Sequence, residues 1–72
     1  MDKIIQGLNA GERFGHKVQD EFEVEVYISE ENGPQACFNV CGSWVTVSIK
    51  SVEQAAQLFL GFQGISEITD VD

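Results

Sequence analysis

Nucleophilic catalysis needs an activated Ser, Thr or Cys held beside a base. In these 72 residues the thiols are Cys37 and Cys41 and the sole histidine is His16. A Cys-His pair is the arithmetic route to a nucleophile, but nothing near either cysteine in sequence supplies the helix N-terminus or the cation that lowers a thiol pKa. A metal site built from Cys37, Cys41 and His16 lacks an evident fourth ligand. The segment Gly11-Glu12-Arg13-Phe14-Gly15 matches neither the G-x-G-x-x-G nor the Walker spacing, and no carboxylate sits in the apolar context that would tune it for acid-base work. The residues therefore predict no catalytic, cofactor-binding or metal-binding site, and a protein that is not an enzyme.

Cys37 and Cys41 are spaced C-x3-C, neither a redox C-x-x-C pair nor a zinc knuckle. On an extended strand their Cα atoms would lie about 13 Å apart, whereas a disulfide needs less than about 7 Å. They read as free thiols, which fits a reducing compartment.

The densest chemical signal is acidic. Asp20, Glu21, Glu23, Glu25, Glu30 and Glu31 fall within twelve residues that contain no Lys or Arg, and they carry −6 of the net charge of −8. On a strand, Glu21, Glu23 and Glu25 would project from one face at intervals of about 6.7 Å, twice the rise per residue. One reading is a surface complementary to a basic protein groove, of the kind that otherwise holds nucleic acid, with electrostatic steering of the encounter. The other is a solvated strand face that keeps the protein dispersed and blunts edge pairing.

The elements that must position these residues follow from periodicity. Residues 2 to 9 place Ile4, Ile5 and Leu8 on one side of a short helical turn, with Asp2 as its N-cap and Gly7 and Gly11 interrupting the pattern. Glu12 to Val18 reads as a strand with Phe14, His16 and Val18 on one face. From Phe22 to Ile28 alternation is strict, with Phe22, Val24, Val26 and Ile28 opposite Glu21, Glu23, Glu25 and Tyr27. Ala36, Phe38 and Val40 continue the pattern after a turn, and so do Val45, Val47 and Ile49. Ser51 and Gln54 form a capping-box pair before the helical stripe Val52, Ala55, Ala56, Phe59 and Leu60, with Gly61 as the C′ residue. Ile65 to Thr69 reads as a last short strand.

Opposed residues must share a face, so parity tests the register. A two-residue loop at Gly42 and Ser43 pairs Val40 with Val45, Phe38 with Val47 and Ala36 with Ile49. An odd loop at Asn32, Gly33 and Pro34 pairs Ile28 with Phe38 and Val26 with Val40, and keeps Pro34 out of the ladder. The face away from the core then carries Glu25, Cys41 and Trp44 in one row, Tyr27, Asn39 and Thr46 in the next, and Ser29, Cys37 and Ser48 in a third. Trp and Tyr on an otherwise small-residue face suit an interface. Tyr27, Asn39, Cys41, Trp44 and Thr46 are therefore the expected seat of a partner or of a symmetric homodimer; the competing reading is an exposed aromatic pair or cover by the N-terminal segment.

The expected fold is a single α+β domain, residues 1 to 72. It is an antiparallel meander of four to five strands with one amphipathic helix, about residues 51 to 61, on one face and a short N-terminal helical turn. At 43% hydrophobic and 10% aromatic the chain is too apolar for disorder despite its charge. Its acidity, with only four Lys and Arg residues, disfavours direct contact with nucleic acid and with anionic membranes. No apolar run approaches a spanning helix and no basic-then-apolar leader opens the chain, so the expected compartment is the cytoplasm.

The meander leading through Trp44-Val45-Thr46-Val47-Ser48-Ile49-Lys50-Ser51-Val52-Glu53-Gln54-Ala55-Ala56-Gln57-Leu58-Phe59-Leu60-Gly61 into a helix and strand resembles small phage- or prophage-encoded accessory proteins, some anti-CRISPR proteins among them. The resemblance is one of plan over residues 22 to 69 and carries no site residue. It implies an inhibitor whose target is a host nucleic-acid-handling protein. The expected function is thus an acidic protein-binding module of that type, with a structural or self-associating accessory protein as the alternative.

Overall fold

A computed structural model describes the backbone of residues 1–71 and the side chains through residue 64. The order is α1 (Asp2–Asn9), β1 (Phe14–Gln19), β2 (Phe22–Ser29), β3 (Gly33–Val40), β4 (Ser43–Ser48) and α2 (Val52–Val71). The strands form one antiparallel sheet in chain order. This is the α+β meander that the alternation requires, with four strands.

The even-numbered residues of β1, β2 and β3 point to the helices, as the two-residue period dictates. Val18, Val24, Val26 and Ala36 are buried there under Leu8 of α1 and Ala55, Ala56 and Phe59 of α2. Each fully buried Val or Leu stabilises the fold by roughly 1.5–3 kcal/mol. Rings tie the layers together, with Phe59 6.0 Å from Phe14 and Phe62 5.5 Å from Phe22 and 5.7 Å from Phe38. Gly7 lets α1 sit this close. A Cβ there would lie 2.5 Å from Cζ of Phe14, so the glycine that interrupts the helical pattern is demanded by packing.

The start of α2 is as expected, with Ser51 Oγ accepting a hydrogen bond from Gln54 N at 3.1 Å. Its end is not at Gly61. The stripe continues as Val52, Ala55, Ala56, Phe59 and Phe62, and the contacts of Phe62 with Phe22 and Phe38 hold the helix together past Gly61. A glycine inside a helix costs only about 1 kcal/mol, less than the burial of a Phe ring contributes. Leu58 rather than Leu60 packs against the core cluster. Ile65 to Thr69 is helical, so there is no fifth strand among the described residues. At the other terminus α1 spans the expected residues, but Met1 is its N-cap and Asp2 lies in the first turn.

Both hairpin registers differ from expectation by an even number of residues. The β3–β4 turn is Cys41-Gly42, with φ of 52° and 88°, so Val45 opposes Phe38 and Val47 opposes Ala36. Two left-handed central residues match the right-handed twist of the strands, and Asn39 Oδ1 accepts from Gly42 N at 3.0 Å. The β2–β3 loop is Glu30-Glu31-Asn32, held by Ser29 Oγ, which accepts from Glu31 N and Asn32 N at 3.3 Å each. Pro34 consequently lies inside the ladder, opposite Ile28. Its carbonyl accepts from Ile49 N at 2.9 Å, so its missing N–H falls where pairing with β4 has already ended at Gln35 and Ser48. Even shifts leave the side chains that remain within the strands on their expected faces, while Glu21 and Cys41 fall in turns.

The cover is incomplete. α2 packs chiefly on β1 and β2 and less on β3, and every residue of β4 is exposed. A helix about 10–12 Å wide spans about two strands set roughly 4.8 Å apart. Val40, Val45 and Val47, on the helix side, are therefore left 48%, 53% and 43% exposed.

Candidate protein-binding face

The side of the sheet away from the helices is built by the odd residues of β1, β2 and β3 and the even residues of β4. The register sets their rows. Lys17, Glu23, Asn39 and Trp44 form one; Gly15, Glu25, Cys37 and Thr46 the next; Tyr27, Gln35 and Ser48 a third. These replace the expected rows, because each hairpin closes at a different residue.

Cys41 is not on this face. It occupies the β3–β4 turn, where its N–H donates to Glu21 O at 2.8 Å and its Sγ lies 3.5 Å from Glu21 Oε2. Tyr27, Asn39, Trp44 and Thr46 do share the face, and Trp44 is 57% exposed. Cys37 and Cys41 are both free thiols.

A line of polar contacts crosses the sheet from the β1 edge to β4. Arg13, immediately before β1, places Nη1 2.9 Å from Glu25 Oε1 and its guanidinium carbon 4.3 Å from the centre of the Tyr27 ring. Tyr27 donates its hydroxyl to Gln35 Oε1 at 3.0 Å, which satisfies a side chain that is buried. Cys37 Sγ lies 3.5 Å from Tyr27 Oη and 3.3 Å from Thr46 Oγ1. The hydrogen bond with Cys37, then burial, holds the Tyr27 phenol above its ordinary pKa; the nearby Arg13 charge opposes this. The phenol therefore stays a neutral donor and an aromatic seat for the guanidinium.

The six acidic residues do not form one surface. Asp20 and Glu21 sit in the β1–β2 turn at one end of the sheet, and Glu30 and Glu31 in the β2–β3 turn at the other, with the eight-residue strand β2, about 24 Å long, between them. Only Glu23 and Glu25 are on the open face. Glu23 stands opposite Lys17 and Glu25 is paired with Arg13. In the sequence Arg13 figures only in the Gly11–Gly15 segment and in an expected strand from Glu12 that in fact begins at Phe14, and Gln35 gives no periodic signal.

Cys37 lies on the open face, whereas His16 points to the helix side, its ring 6.3 Å from Phe59. The sheet stands between the thiol and the imidazole. Among the described residues no cluster of three or more His, Cys, Asp or Glu side chains could hold a metal ion, and no helix is long and apolar enough to cross a membrane. No family model, curated protein or solved structure matches this chain.

Proposed function

We propose that this chain is a non-catalytic protein-binding module that lays its open sheet face and acidic ends against a basic protein surface. The observation that supports this reading is the one-sided cover: both helices lie on one side, and the other side presents Trp44, Tyr27 and Asn39 with Glu23 and Glu25. An exposed Trp beside neutral polar groups suits a desolvated anchor. Glu21 and Asp20 at one end and Glu30 and Glu31 at the other supply the steering charge. The resemblance to phage-encoded inhibitors makes a nucleic-acid-handling host protein the class of target.

Capture of a basic partner by the immobilised chain should weaken steeply with ionic strength. It should be lost when Glu21, Glu23 and Glu25 are changed together to Gln, and lost at any salt with Trp44→Ala. Undiminished capture by the triple variant at low salt sinks the reading.

A further inference from the structure

The two edges of the sheet differ in how they end. β1 carries Lys17 and a register irregularity between Lys17 and Gln19, both devices that discourage strand addition. β4, Ser-Trp-Val-Thr-Val-Ser, has no charge and no proline, its pairing with β3 has no bulge, and all its residues are exposed.

Its free backbone groups can be assigned. The two-residue turn makes Val40 and Ser43 the closing hydrogen-bonded pair, and Ile49 N donates to Pro34 O at the far end. Ser43, Val45, Val47 and Ile49 thus direct N–H and C=O toward β3. Trp44, Thr46 and Ser48 direct theirs outward, away from the sheet.

We propose that β4 pairs antiparallel with β4 of a second copy about a two-fold axis at Thr46, joining two four-stranded sheets into one of eight. The pattern around Thr46 is self-complementary. In this register Thr46 meets Thr46 of the second copy and Trp44 meets Ser48, so every outward N–H and C=O finds a partner. Val45 opposes Val47 of the second copy on the helix side, a cross-strand β-branched pair. A register centred on Val45 keeps the faces but sets Ser48 against Gly42 of the turn and loses part of the ladder.

Charge selects the occupant. Two chains of net charge −8 repel, and β4 is the strand on which neither copy brings a charged side chain to the seam. A basic foreign strand would find no counter-charge there. The seam leaves the acidic open face of both copies free and does not depend on its function.

At high micromolar concentration sedimentation equilibrium should give the mass of two chains, and the amides of Trp44, Thr46 and Ser48 should gain protection from hydrogen exchange as concentration rises. Thr46→Pro removes an outward N–H at an edge position that tolerates proline, and Val47→Lys puts a charge into the seam. Each should halve the mass with the far-ultraviolet circular dichroism unchanged, and Val47→Lys decides alone if Thr46→Pro does not fold. In a Cys37→Ser, Cys41→Ser background, Thr46→Cys should form a covalent dimer on mild oxidation and Val45→Cys should not. A wild-type chain that stays monomeric overturns the proposal and leaves the edge to a foreign strand. A dimer that survives Val47→Lys, or cross-linking of Val45→Cys as fast as Thr46→Cys, overturns the seam. Changing Glu21, Glu23 and Glu25 to Gln should leave the mass unchanged, so failure here and failure of partner capture are read separately.

Discussion

β1 and β4 are the two edges of one sheet, share the same apolar alternation on the same side, and end in opposite states. Over β1, α2 brings Phe59 to Phe14 and His16, and Val18 is buried. Over β4 no described side chain gives comparable cover, and Val45 and Val47 are about half exposed. The difference comes from width: one helix spans about two strands, and the ring contacts of Phe59 and Phe62 seat it toward β1 and β2. An alternating strand therefore specifies which way its side chains point, while their burial depends on what lies above.

The strongest way to break this contrast is to cut matching side chains at the two edges. Phe59→Ala should cost about 3–5 kcal/mol in urea unfolding, enough to leave a domain this small largely unfolded, whereas Val45→Ala should stay within about 0.5 kcal/mol. Equal losses would show that β4 is covered in solution. Gly7→Ala tests how tightly α1 is pressed on the β1 side. The added Cβ meets the Phe14 ring at 2.5 Å, and overpacking of about 1–3 kcal/mol should exceed the helix-propensity gain of about 1 kcal/mol. A rise in melting temperature would mean that the ring yields freely. The smallest effect is expected at His16, whose Nε2 is buried with no hydrogen-bond partner among the described residues. His16→Leu should stabilise by about 1 kcal/mol, since it removes an unsatisfied polar atom; a loss would reveal a bonded partner, such as an ordered water.

Much of the fold was legible because its signals are local. Phe22, Val24, Val26 and Ile28 announce a strand and its inner face, and Ser51 with Gln54 announces the start of α2. The errors arose where a local preference met a distant contact. Gly61 reads as a stop, but Phe62 finds Phe22 and Phe38 across the sheet. Ile65 to Thr69 is β-prone in composition yet helical. Cys41 reads as a strand residue but takes a left-handed turn conformation beside Gly42. The candidate site was less legible than the fold. Glu21 and Glu25 are four residues apart in sequence, but a hairpin turn puts Glu21 beside Cys41 while Glu25 meets Arg13 across β1.

By itself the sequence determined the two faces of the sheet. Side chains alternate with a period of two, and the misjudged turns moved the register by even numbers, so Tyr27, Asn39, Trp44 and Thr46 stayed together on the side away from the helices. Only the tertiary structure decided which part of the apolar face is covered and where the acidic residues come to rest. Those depend on the width of a helix against the width of a sheet, and on where each hairpin closes. The uncharged edge at β4 is the consequence: its valines point inward as their spacing demands, and no element of the described chain buries them.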